Sequence, residues 1–240
     1  MDHVIKMKST KDRINFWEKA WEKDGAATTL YPGLIRSEDL SGKNVLEIGC
    51  GNLMSSYGVY QAKRYVGLDL SANALGRVYD DIPKNTELIH ADAVNLPFID
   101  KSFDVVIAVQ TISALEDKVY PVLREAARVL NHGGSLIFDI QHTDWCTQDK
   151  FKKNVLTLEE VHHGTMFSFK MDGCPEGRYY ISYTKEGMQK LLEELELKED
   201  TIEIFDNHEF YYIGIPIYER FVEIERPFVN HTMLVRALRK

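Results

Sequence analysis

The sequence predicts an α/β fold built around a parallel sheet. Three observations carry this: nearly continuous apolar runs recur between residues 43 and 141, helical stretches separate several of them, and the first run opens into a Gly-x-Gly turn, Gly49-Cys50-Gly51. Strands buried on both faces read as unbroken apolar runs, and the helices between them supply the crossovers that parallel pairing requires.

The elements follow in order. Residues 10–24, TKDRINFWEKAWEKD, place Ile14, Trp17 and Trp21 at helical spacing, an amphipathic helix whose two tryptophans read as a packing stripe rather than a ligand cage. Gly25 closes that helix, and YPG at 31–33 marks a turn. The strands are KNVLEIGC from Lys43, RYVGLDL (64–70), TELIHAD (86–92), FDVVIAVQ (103–110) and SLIFDIQ (135–141). In DKVYPVLREAARVLNHGG, Val119, Val122, Leu123, Ala126, Ala127 and Leu130 share a helical face, and Gly133 and Gly134 are expected to stop the helix. Residues 142–178 read as irregular. A helix (184–197), a strand TIEIF (201–205) and a strand HTMLVRAL (231–238) follow, with an aromatic-rich piece between the two strands. Neither an internal repeat nor a dividing linker is visible, so a single domain is expected over 1–240.

Composition narrows the function classes. The formal charge of −8 over 240 residues lacks the basic excess of a nucleic-acid binder. DNA is therefore not expected as a partner, RNA is disfavoured, and the basic end RALRK reads as a solvated chain end. Cys50, Cys146 and Cys174 are too far apart for a Cys-x-x-Cys metal or redox site, and suggest no disulfide framework. His162 and His163 read as surface residues, and no metal site is expected. The start MDHVIKMKSTKDR lacks a signal-peptide apolar stretch, and no run reaches the roughly 18 apolar residues of a membrane span, so a cytoplasmic protein without a membrane partner is expected.

The glycine turn narrows the ligand. The dinucleotide fingerprint G-x-G-x-x-G needs a glycine at position 54, where Met54 stands, which weakens a pyrophosphate-binding reading. The carboxylates are more specific. Asp69 ends the second strand, where it can take both hydroxyls of a ribose; Asp92 ends the third, where it can accept from an adenine amino group; Glu47, two residues before Gly49, suits an ammonium. Adenosine with an amino acid and no phosphate describes S-adenosylmethionine.

At these residues the chain closely resembles the class I S-adenosylmethionine-dependent methyltransferases, through LEIGCGN, YVGLDLSANAL, ADAVNLPFIDKSFDVVIAVQTISALED and LREAARVLNHGGSLIF, in the family's order and spacing over roughly residues 40–140. The resemblance implies a Rossmann-like, seven-stranded, mostly parallel sheet with helices on both faces and a reversed C-terminal β-hairpin. It divides the chain into an N-terminal helical cap (1–40), a cofactor-binding core (41–141) and acceptor-side inserts (142–183 and 206–230). It assigns Glu47, Gly49, Cys50 and Gly51 to the methionine part of the cofactor, and Asp69 to the ribose with Leu70 on the adenine. Asp92 and the Ala93 backbone go to the adenine edge, Val109 and Gln110 to the methionine end. The chain departs from the family's usual pattern at Leu53, at His132-Gly133-Gly134 and at Ser113-Ala114.

The expected activity is methyl transfer to an O, N or C atom of a small-molecule acceptor, by a monomer or homodimer. The alternatives are protein or RNA methylation, or a non-catalytic adenosine-ligand-binding protein on the same scaffold. His142 and Asp144, just beyond the fifth strand, are the positional candidates for a general base, with His208 a weaker one. Phe210, Tyr211, Tyr212, Tyr218 and Phe221 suit a lid over the acceptor or simple packing of the insert.

Overall fold

The computed structural model describes residues 9–23, 38–52, 60–78, 82–144, 155–171, 174–205 and 232–240. Gly25, the YPG turn, Leu53, Met54, Cys146, His208 and the aromatic insert lie outside the described residues.

A helix α1 (Thr10–Lys23) precedes β1 (Asn44–Ile48), β2 (Arg64–Asp69), a single helical turn α2 (Ala72–Leu75), β3 (Thr86–His90) and β4 (Phe103–Ala108). Then come α3 (Val119–Val129), β5 (Leu130–His142), β6 (Val155–Val161), β7 (Gly164–Met171), β8 (Cys174–Tyr183), α4 (Lys185–Glu194), β9 (Leu197–Phe205) and β10 (Thr232–Arg239). The first five strands lie in the order β3-β2-β1-β4-β5 and all pair parallel. β10 runs antiparallel to β5, and β9 antiparallel to β10, giving the reversed C-terminal strand pair that the sequence led us to expect. Strand order reverses between β1 and β4, the place in an open α/β sheet where ligands bind beyond the carboxyl ends.

Among the described residues the sheet has ten strands rather than the expected seven. The three extra strands come from the segment that read as irregular, which forms an antiparallel β6-β7-β8 sheet. Its sequence mixes polar and apolar residues because β6 is only partly covered, so the buried-strand signal was missing. β8 joins the end of β5 in parallel, Gln141 opposite Ser182 and His142 opposite Tyr183. Gln141 also faces Thr232 of β10, so β8 takes the other edge of β5, the edge that β4 occupies up to Phe138. The extra sheet therefore continues past the carboxyl end of β4 and packs on the 3-10 turn Ile112–Ala114.

Alternation along the strands divides the core into two layers. Leu46 and Ile48, Val106 and Ala108, Leu136, Phe138 and Ile140, and Met233 and Val235 join α3 and α4 on one face. Val45, Val105, Ile107, Ile137 and Leu234 form the other, with Leu40, Ala62 and Tyr65. Each fully buried aliphatic side chain in these layers contributes roughly 1.5–3 kcal/mol.

Two local expectations are corrected. Gly133 and Gly134 do not stop α3; the helix ends at Val129, and both glycines lie inside β5 beside its register shift against β4. The final carbonyls of α3 are instead satisfied by Lys101 N–H on Arg128 (3.1 Å) and Ser102 N–H on Val129 (2.8 Å), so the chain turns directly into a strand. Nor is RALRK a solvated end. Arg236 sits in β10 and binds buried Glu38 (3.0 Å) and Asp200, while Arg239 binds Glu196 (3.1 Å) and the Leu195 carbonyl (2.9 Å).

Candidate active site

The loop after β1 is set by its glycines. Gly49 and Gly51 have φ of +70° and +54°, values that side chains with a Cβ avoid. Gly49 and Cys50 both donate to the Leu68 carbonyl, at 2.7 and 3.1 Å, which bends the loop back across the end of β2. Asp69 then fastens it. Its Oδ2 accepts from Gly51 N–H and its Oδ1 from Ser71 N–H, each at 2.8 Å. Burial raises the pKa of Asp69 above the ordinary aspartate value, although these backbone donors pull the other way. Cys50 is buried, and burial with the Glu47 and Asp69 charges pushes its thiol well up, so it serves as a small neutral loop residue.

These groups open onto a pocket of about 920 Å³, counting the open solvent at its mouth. Gly49, Cys50, Gly51, Asp69, Leu70, Asp92, Ala93, Val109 and Gln110 all line it. Nine of the ten residues expected to hold a cofactor thus meet in one cavity, but Glu47 is not among them. Strand alternation turns Glu47 to the Val45 side of the sheet, where its carboxylate accepts from the buried Tyr65 hydroxyl at 2.5 Å.

The sequence reading missed several residues of the wall. Arg13, Trp17 and Trp21 of α1 line the pocket, so the two tryptophans are more than a packing stripe. Trp21 covers the loop closely enough that a Cβ on Gly51 would lie 2.9 Å from its ring. Arg13 binds Asp92 at 2.5 Å, and Thr10 donates to the same carboxylate oxygen. Arg13 Nε is buried with no partner among the described residues. Lower down the helix, Glu18 accepts from the Ala72 and Asn73 amides at 2.7 and 3.0 Å. α1 is thereby fixed at two points across the cavity. The spacing Arg13-Trp17-Trp21, one residue per helical turn, was the legible signal.

The wall after β4 is equally ordered. Gln110 adopts φ +53° and donates its N–H to the buried Asp139 carboxylate at 2.5 Å. Thr111 donates to the carbonyls of Ile48 (3.2 Å) and Val109 (3.0 Å), tying this turn to the end of β1. Asp139 lies inside an apolar strand, and its sequence position gives no hint of this role.

The donor set fits S-adenosylmethionine. Asp69 uses two of the roughly four lone-pair directions of a carboxylate, which leaves acceptors for ribose hydroxyls. Asp92 keeps capacity for an adenine amino group beside Arg13, whose unpartnered Nε offers a donor to a ring nitrogen. The tryptophan faces suit the adenine ring or the sulfonium.

His142 and Asp144 come together at the end of β5. The Asp144 N–H lies 3.3 Å from His142 Nδ1 and its carboxylate 3.5 Å. His142 is buried, and neither residue lines the cofactor pocket. His162 and His163, which read as unrelated surface residues, share the carboxylate of Glu194.

Comparison with known proteins points to the same cofactor. Residues 46–138 match the family described as "Methyltransferase domain". Over these residues the chain carries a methyltransferase domain, and its fold is that of the class I S-adenosylmethionine-dependent methyltransferases. The cofactor of that family is S-adenosylmethionine.

Among individual relatives, the chain is 37% identical over 114 residues to a fatty-acid O-methyltransferase of Mycolicibacterium smegmatis, covering 45% of this chain and 41% of that one. It is 40% identical over 103 residues to a demethylmenaquinone methyltransferase of Listeria welshimeri, covering 40% and 43%. The chain thus matches less than half the length of these curated relatives. The fold is shared more widely. An S-adenosylmethionine-dependent methyltransferase from Methanosarcina mazei superposes with a TM-score of 0.66 at 17% identity, covering 88% of this chain and 99% of that one. The 1,6-didemethyltoxoflavin-N1-methyltransferase of Burkholderia thailandensis, solved with S-adenosylhomocysteine, gives a TM-score of 0.56 at 12% identity, covering 83% and 72%. Among the described residues no helix is long and apolar enough to cross a membrane.

Proposed function

We propose that this methyltransferase core binds S-adenosylmethionine in the pocket between α1 and the carboxyl ends of β1, β2 and β4, and transfers its methyl group to an O, N or C atom of a small-molecule acceptor. The observation that supports it best is the convergence of the Gly49–Gly51 loop, Asp69, Asp92 and the α1 tryptophans on one cavity. The sulfonium supplies a methyl group already activated toward a nucleophile. The protein's part is to orient the donor, align the acceptor and keep water out, effects that contribute roughly 7–11 kcal/mol in favourable cases. Trp17 and Trp21 cover the donor; Asp69 and Asp92 fix its ribose and adenine.

The acceptor would enter from the side where β6–β8 extends past β4. The inserts 142–183 and 206–230 are proposed as its walls, with the aromatic residues of the second as a lid. His142 stands at the junction of β5 and β8. Nδ1 of His142 accepts from the Asp144 N–H at 3.3 Å; were it instead to carry the proton and donate to the Asp144 carboxylate, 3.5 Å away, Nε2 would be free to take an acceptor proton.

Two measurements test this. Radiolabelled methyl transfer should be followed against a panel of hydroxylated, quinone and amine acceptors that includes a fatty acid and a demethylmenaquinone, in view of the relatives named above. With an accepted substrate, His142→Ala should lower kcat by about 10²–10⁴-fold with little change in S-adenosylmethionine affinity. An unchanged kcat would remove His142 from the mechanism. Donor binding without turnover on any acceptor would favour a non-catalytic adenosine-ligand-binding protein.

A further inference from the structure

Outside the cofactor pocket, two imidazoles and a carboxylate converge where the β6–β7 turn meets α4. Neighbouring residues in a strand point to opposite faces, which is why an adjacent His-His pair does not read as a chelate. Here the pair occupies the turn itself. His163 takes φ +57°, and the two rings lie 4.3 Å apart at 48° to one another. Both Nε2 atoms reach one carboxylate: His162 meets Glu194 Oε2 and His163 meets Oε1, each at 2.6 Å.

The arrangement is built into the fold. A Cβ on Gly187 of α4 would lie 2.1 Å from the His163 carbonyl oxygen, so the turn seats on this helix only because residue 187 is glycine. Tyr120, at the start of α3, packs edge-on against the His162 ring at 5.2 Å. Three elements therefore hold the cluster, and none of His162, His163 and Glu194 lines the cofactor pocket.

Two neutral imidazoles with one carboxylate are the ligands of borderline first-row divalent ions, zinc above all; calcium and magnesium prefer oxygen donors. All the candidate ligand atoms lie within 4.8 Å of one another. A tetrahedral ion at ~2.0–2.2 Å from each ligand sets neighbouring donor atoms about 3.3–3.6 Å apart. The observed spread, from 2.6 Å to under 4.8 Å, brackets that spacing, so ring and carboxylate rotations suffice. Water would complete the coordination.

We propose that His162, His163 and Glu194 form a site for a zinc-class divalent ion that staples the β6–β7 turn to the C-terminal end of α4. The ion would cross-link the strand insert that rises past β4 to a helix packed on the main core. Metal occupancy would then set how firmly that insert is held.

The test uses full-length, untagged protein stripped with a chelator and titrated with cobalt(II), followed by displacement with zinc. The wild type should bind one equivalent of cobalt with the absorption of a low-symmetry, near-tetrahedral site, and zinc should raise its melting temperature. Glu194→Gln and His163→Ala should each weaken zinc binding by about a hundredfold or more, beyond the ~10–100-fold effect typical of outer-shell partners. S-adenosylmethionine binding should be unchanged in both variants, which also reports that they are folded. Equal zinc affinity in wild type and variants, or no saturable binding by the wild type, would overturn the proposal. The cluster would then be a hydrogen-bonded staple alone.

Discussion

Asp69→Ala is expected to weaken S-adenosylmethionine binding by about 10²–10⁴-fold while leaving the sheet folded. Hydrogen bonds to a charged acceptor contribute roughly 1.5–3 kcal/mol each, and two ribose hydroxyls would lose theirs together. The substitution also frees the Gly51 and Ser71 amides, so the glycine loop loosens at the same time. Titration calorimetry measures the affinity and circular dichroism the fold. Unchanged affinity in a folded variant would mean that Asp69 does not hold the ribose.

The same carboxylate predicts a pH dependence. Burial raises its pKa in the free protein above the ordinary value of 3.8, and ribose hydroxyls donating to the charged form would lower it again. Affinity should therefore fall as pH drops through the raised value, with proton release on binding in that range. Asp69→Asn should abolish this dependence. For the unliganded protein the sign is opposite: the raised pKa contributes stability below 3.8 that is lost as pH rises through the folded value.

Gly49→Ala should be the most damaging substitution in the loop. The added Cβ would lie 2.1 Å from Thr111 Oγ1 and 2.7 Å from its Cγ2, on a backbone whose φ of +70° already disfavours alanine. Thr111 has little freedom to retreat, because its hydroxyl is engaged with the Ile48 and Val109 carbonyls. Overpacking of about 1–3 kcal/mol and a left-handed backbone cost of about 1–2 kcal/mol give a loss of roughly 2–5 kcal/mol. For a chain of this size that lowers the melting temperature by about 4–20 °C. Thr111→Ala in the same chain removes the two closest atoms but not the backbone strain. The double variant should recover part of the loss, with a coupling of about 1–2 kcal/mol in a double-mutant cycle. Strict additivity would show that the loop and the turn after β4 are not in contact.

The parts of this molecule legible from sequence were those whose signal is local. Buried strands, the glycine turn and carboxylates at strand ends follow from apolar runs and from positions within them, and Asp69 and Asp92 indeed reach one pocket. Glu47 shows where position along the chain falls short of direction. Its proximity to Gly49 suggested a ligand contact, but alternation along β1 turns its side chain to Tyr65 on the other face. Asp139 and Thr111 were illegible for a related reason, since their work is to hold other backbones and depends on long-range register. The β6–β8 sheet was harder to read because its outer strand β6 is only partly covered. α1 carried the signal in Arg13-Trp17-Trp21, yet a helical stripe does not say which surface it will cover.

The proposed function rests on the cavity between α1 and the Gly49–Gly51 loop being an S-adenosylmethionine site. Side-by-side calorimetric titration with S-adenosylmethionine, S-adenosylhomocysteine and NAD tests it most directly. Saturable one-to-one binding of the first two and none of NAD is expected, and Trp17 and Trp21 fluorescence should respond to the same ligands. Binding of NAD alone, or of none of the three, would contradict it.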